Sequence, residues 1–162
     1  MESINSVNSL KFGNIVITLR KFKKQETNDD SLCFTANIYL NNEIIGNVIN
    51  NPNNICFLKN KETILKNEQI EFNSFCDVIN TIANNIQNFY EERNIVYKKQ
   101  KKSLVFRKKD NSLFLIPIKN IITNKQVEIE NLLSHKKGIN TIKSIKRKYE
   151  MQGCVLLNTN LF

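Results

Sequence analysis

Phe34-Thr35-Ala36-Asn37-Ile38-Tyr39-Leu40, then Asn41-Asn42, then Glu43-Ile44-Ile45-Gly46-Asn47-Val48 is the stretch that decides the fold. Phe34, Ala36, Ile38 and Leu40 alternate with Thr35, Asn37 and Tyr39, the period of two expected of a strand with one face in a core. A second apolar run, with Ile44, Ile45 and Val48, follows Asn41-Asn42. Asparagine tolerates positive φ, which a tight hairpin turn requires. The stretch therefore predicts an antiparallel β-hairpin.

Working outward, residues 13–19 read as an earlier strand, with Ile15, Ile17 and Leu19 in alternation, running into the basic Arg20, Lys21, Lys23 and Lys24. Residues 25–31 read as a polar turn with Asn28-Asp29-Asp30 at its apex. After the hairpin, 50–54 reads as a loop and 55–58 as a short fourth strand. Residues 59–71 follow no clear period and read as a connecting loop, with room for a helical turn. Phe75, Ile79, Ile82, Ile86 and Phe89 then recur in steps of four, three, four and three, one face of an amphipathic helix over about 74–97. Ser74 and Asp77 resemble a capping box at its start.

A second hairpin is expected from 104–106 and 113–118 around Lys109-Asp110-Asn111-Ser112. Pro117 lacks an amide donor, so its strand ends there or lies on an edge. Two C-terminal helices follow. The first is expected to be capped by Asn124, to carry Val127, Leu132 and Leu133, and to end with Lys136, Lys137 and Gly138. The second spans about 140–151 with Ile142, Ile145 and Tyr149 inward, and Gly153 ends it. A closing strand is expected over 154–157. Hairpins separated by single helices predict an α+β fold with a mostly antiparallel sheet. The 162 residues suit one domain over 1–162, with flexible ends at 1–9 and 159–162.

Composition narrows the function. The apolar share of 41% and the charged share of 24% are those of an ordinary globular protein. No run approaches the roughly 20 apolar residues of a membrane helix. The N-terminus has neither the basic start nor the apolar core of a signal peptide, so the chain reads as cytoplasmic. The cysteines at 33, 56, 76 and 154 form no Cys-x-x-Cys pair and read as free buried thiols. The one histidine, His135, reads as a solvated residue at a helix C-terminus rather than a general base. Four isolated glycines leave no phosphate-cradling loop. Asn28-Asp29-Asp30 has neither the glycine nor the terminal glutamate of a calcium loop. No catalytic, metal or cofactor residue is assigned, and the chain reads as non-enzymatic.

The net charge is +9. The chain holds 20 Lys, 27 Asn and 22 Ile, all spelled by A- and T-rich codons, which discounts that charge as a mark of a partner. Basic clustering still stands out. Lys98, Lys99, Lys101, Lys102, Arg107, Lys108 and Lys109 crowd 12 residues without an acid, Lys143, Lys146, Arg147 and Lys148 form a second group, and Arg20, Lys21, Lys23 and Lys24 form a third. On one face these groups would track a phosphate backbone, with Tyr97 and Phe106 free to stack on bases.

The pattern in Phe34-Thr-Ala-Asn-Ile-Tyr, a turn, then Gly46-Asn-Val-Ile-Asn50 resembles the opening hairpin of small uncharacterised accessory proteins of bacteriophages and mobile elements. The ending Val155-Leu-Leu-Asn-Thr-Asn160 is of the same kind. Many such proteins continue with a glycine-rich loop; here Asn51-Pro52-Asn53-Asn54 stands in its place. The resemblance implies a protein binding a host or viral macromolecule, in a host-takeover or anti-defence role. The alternatives are a virion structural or packaged protein, and a sequence-nonspecific nucleic-acid-binding protein.

Overall fold

The computed structural model describes residues 7–26, 32–58, 60–120 and 123–161, with the side chain of residue 63 excepted. Its elements are β1 (Ser9–Phe12), β2 (Ile15–Lys24), β3 (Phe34–Leu40), β4 (Glu43–Phe57), α1 (Lys61–Asn67), α2 (Phe72–Lys99), β5 (Ser103–Arg107), β6 (Leu113–Pro117), α3 (Ile129–Leu133), α4 (Lys136–Glu150) and β7 (Val155–Leu156). The fold is α+β, and among the described residues every strand pairing is antiparallel. Where the sequence reads as one domain, the chain divides into two compact units, Met1–Tyr90 and Glu91–Phe162, each with its own core.

In the first unit the strands lie in the order β1-β2-β3-β4. The predicted hairpin is β3–β4, and Asn41 and Asn42 take φ of 47° and 71°, both positive as a two-residue turn with matching twist requires. Asn41 also holds the neighbouring strand: its side-chain oxygen accepts from the Val16 amide at 2.8 Å, and its own amide donates to the Val16 carbonyl at 2.9 Å. The inward residues Ile17, Leu19, Phe34, Ile38 and Val48 are buried against Phe75, Ile79, Ile82 and Ala83 of α2. Each fully buried apolar side chain of this size contributes about 1.5–3 kcal/mol.

Four local expectations change here. Gly13-Asn14 is not the start of a strand but the turn joining β2 to the earlier strand β1, with Gly13 at φ 60°. The loop at 50–54 and residues 55–57 of the expected fourth strand fall within β4, and the chain doubles back there: the Leu58 amide, just past the strand, donates to the Ile45 carbonyl at 2.9 Å. Gly46 makes that approach possible, because a Cβ there would strike the Cys56 carbonyl. Residues 61–67 form α1 rather than loop. Finally, α2 begins at Phe72, so Ser74 lies inside its first turn and does not cap it. The Asn28-Asp29-Asp30 apex lies outside the described residues, as do 1–6 and 162 of the expected flexible ends. Residues 8 and 159 are tied down, Asn8 to Leu19 and Thr159 to Gln100.

In the second unit the order is β6-β5-β7. The second hairpin forms as expected, with Asn111 at φ 65° and Pro117 ending the edge strand β6. The C-terminal helices break elsewhere than expected. Asn124 sits at φ 53° in a loop and caps nothing, α3 is one short turn, and Lys136 and Lys137 open α4 instead of closing its predecessor. The reason is a packing contact. A Cβ on Gly138 would strike the Leu132 carbonyl, so that glycine lets α4 abut the end of α3 and does not terminate a helix. Gly153, at φ 79°, does end α4: its amide donates to the Glu150 carbonyl at 2.9 Å and the Cys154 amide to that of Tyr149 at 3.0 Å. That paired closure is the Schellman pattern.

Candidate nucleic-acid interface

The two units differ sharply in charge. Residues 1–90 carry 8 basic and 9 acidic side chains, whereas residues 91–162 carry 16 basic and 6 acidic. Codon bias does not account for this. Asn and Lys together number 26 in the first unit and 21 in the shorter second, close to three in ten of the residues in each. Their codons differ only in the third base. Asn takes 19 of those positions in the first unit, while Lys takes 13 of them in the second.

The amphipathic α4 displays much of this charge. Gly138, Ile142, Ile145 and Tyr149 face the core with Leu104 and Phe106. On the opposite side Lys136, Asn140, Lys143 and Arg147 follow in steps of four, three and four, and all four are exposed. Lys137, Thr141, Ser144 and Lys148 make a second exposed row beside them. Lys136 to Arg147 covers about 16 Å of helix, over which one strand of a duplex presents about five phosphates. Lys146 lies on the other flank, where it pairs with Glu150 at 3.8 Å.

The placement of Lys136 and Lys137 opposes helix electrostatics. The first turn of α4 contains no acid, and His135 at its N-cap makes no side-chain capping bond. His135 therefore begins a helix, where the sequence reading has it end one. Cations at the positive end of a helix dipole each cost about 0.3–1 kcal/mol, and such an end favours anions.

The crowded run between Lys98 and Lys109 does not form one patch. Lys98 and Lys99 close α2, Lys101 and Lys102 lead into β5, and Lys108 and Lys109 lie beyond its far end, about 20 Å from Lys102 along the strand. At the near end the fold adds two lysines that the linear clusters omit. The Lys102 carbonyl accepts from the Ile118 amide at 3.0 Å and from the Gln126 side chain at 3.1 Å. Lys119 bridges to Gln126, and the Asn120 amide reaches the Lys125 carbonyl at 2.9 Å. Lys119 and Lys125 thus join Lys101 and Lys102, a grouping across 24 residues that no linear window contains. Tyr97 stands nearby on the outer face of α2 with 74% of its surface exposed.

Two residues named from sequence have other employment. Phe106 is fully buried and cannot meet a base. Arg107 lies 3.4 Å from Glu92 of α2, so its charge is engaged within the unit. Lys108 and Lys109 border an open groove of about 550 Å³ that also includes Phe114, Tyr149, Gln152 and Cys154. Asp110 lines the groove as well; it accepts from the Ser112 hydroxyl at 2.6 Å and the Ser112 amide at 2.9 Å, which holds its carboxyl below the usual range.

Among the described residues no three His, Cys, Asp or Glu side chains gather as a metal site would require, and no helix is long and apolar enough to cross a membrane. All four cysteines are free thiols. Cys76 alone is fully buried, and Cys56 is exposed where burial was expected. Burial pushes the Cys76 thiol up. No family model, curated protein or solved structure matches the chain.

Proposed function

We propose that the chain is a non-enzymatic protein that binds nucleic acid through its phosphate backbone, with residues 91–162 as the binding unit. The observation that carries this reading is the division of Asn and Lys between the units. One codon pool supplies both, yet the second unit directs 13 of its 21 such residues to charge and the first only 7 of 26. The rows on α4 support it, including two lysines at a helix start where they are locally unfavourable. Departures from local rules concentrate at functional sites.

Lysine also sets the kind of recognition. It is a point charge suited to phosphate, whereas base edges are read chiefly by forked or amide side chains. Of the three arginines in this unit, Arg107 is paired with Glu92. The reading is therefore binding without sequence preference. It fits the resemblance to phage accessory proteins, with nucleic acid as the host or viral macromolecule.

The test is the salt dependence of binding by the full chain to labelled 20-nucleotide single strands and duplexes. Neutralising about four phosphates through α4 alone would give a slope of log affinity against log salt of roughly −3. Failure to bind at 50 mM salt, or binding indifferent to salt, overturns the proposal.

A further inference from the structure

The groove between the β5–β6 turn and the end of α4 combines aromatic surface with flanking cations. Phe106, Phe114 and Tyr149 lie with ring centroids 5.2–5.3 Å apart. Phe106 stacks beneath Phe114 at an interplanar angle of 16° and is itself fully buried, so Phe114 rests on a rigid base. Phe114 and Tyr149 are only half-buried and border the groove. The Lys108 ammonium lies 5.7 Å from the Phe114 ring and the Lys148 ammonium 5.5 Å from the Tyr149 ring. Lys109 lies on the same rim. The volume falls within the range of about 300–1,000 Å³ typical of small-molecule sites.

We infer that this groove stacks an unpaired nucleobase, and that the protein consequently prefers single strands to duplexes. The inference rests on the nucleic-acid reading above and names the form of its ligand. A ring platform contacts the π-face that every base possesses, while lysines on the rim hold the phosphates on either side. Single-strand binders without sequence preference combine these two elements. A paired base is stacked on its neighbours and cannot enter without being unpaired and extruded. A rim ammonium over an aromatic face is readily displaced, since an exposed cation–π contact is weak.

The probes are a thymidine 12-mer and an abasic 12-mer of equal charge, measured by fluorescence polarisation with the full chain. The thymidine strand is expected to bind about 10- to 100-fold more tightly, with the same salt slope. Tyr97→Ala should keep that difference, Tyr149→Leu should abolish it and Tyr149→Phe should retain it. Equal affinity for the two strands, with a steep salt slope, overturns the groove assignment while the phosphate reading stands. No binding to either strand overturns the groove assignment, and the phosphate reading falls with it when a duplex of the same length also fails to bind. Loss of the difference in Tyr97→Ala moves the stacking to the α2 surface and also overturns the assignment. If Tyr149→Leu does not fold, the wild-type protein and Tyr97→Ala still decide between these outcomes.

Discussion

Residues 1–90 and 91–162 draw on asparagine and lysine in equal proportion and put them to different uses. In the first unit asparagine builds structure. Asn41 and Asn42 take up the positive φ of a turn, and Asn41 ties β2 to that turn. In the second unit lysine takes the place of much of that asparagine, and the exposed side of α4 carries two basic rows. A shared composition thus yields one unit organised around a hairpin sheet and another organised around charge. Self-repulsion among like charges does nothing for the stability of the second unit, and the proposed nucleic-acid binding gives that charge a use.

The strongest challenge to this comparison is charge reversal. Changing Lys136, Lys137, Arg147 and Lys148 to Glu should weaken nucleic-acid binding at least about 100-fold and reduce the salt slope by about three, a little under one for each of the four phosphates no longer neutralised. The equivalent reversal of Lys98, Lys99, Lys101 and Lys102 reports on the other end of the unit. If both sets bind as the wild type does, the charge difference has no bearing on nucleic acid.

Glycine substitutions should separate the units by stability. Gly138→Ala forces a methyl group onto the Leu132 carbonyl and should cost about 2–3 kcal/mol in urea unfolding, reducing binding with it. Gly46→Ala drives a similar clash with the Cys56 carbonyl in the first unit, and the folded protein should retain its salt slope. A smaller effect is expected at Arg107. Its replacement by Ala breaks a partly exposed ion pair, so a loss of at most about 1 kcal/mol should accompany unchanged affinity. A drop in binding equal to that of the α4 variants would show Arg107 to be part of the interface.

The smallest effect belongs to Asp110. Its carboxyl is held below the usual range, first by the Ser112 hydroxyl and then by the Ser112 amide. A folded-state pKa below the unfolded one contributes stability above the unfolded value, and that contribution is lost as pH falls through the folded value. Asp110→Asn should therefore melt slightly below the wild type at pH 7, and the two melting temperatures should converge in strong acid. A gap that persists at low pH would rule out the carboxylate as its source.

Much of this architecture is legible in local patterns. The β3–β4 hairpin follows from alternation plus two residues that accept positive φ, and α2 follows from a 3.6-residue period; both depend on near neighbours in the chain. One further local signal also marks a turn: Gly13-Asn14 lies between Leu10-Lys11-Phe12 and Ile15-Val16-Ile17, and it joins β1 to β2. The helix boundary at Gly138 is not legible, because the same residue type serves as a terminator or as a spacer depending on what approaches it. Here the Leu132 carbonyl approaches it. The candidate interface divides similarly. Which residues are charged is readable from the chain, but which remain available is not.

By itself the sequence determined the α+β class, the two hairpins, the long helix and the total charge, since each depends on periodicity, turn chemistry or simple count. Only the tertiary structure decided that Phe106 is core, that Arg107 is engaged by Glu92, that Lys119 and Lys125 stand with Lys101 and Lys102, and that the charge belongs to one unit. Those outcomes depend on burial and on contacts between residues distant in the chain, which strand pairing and helix packing create and local patterns do not encode.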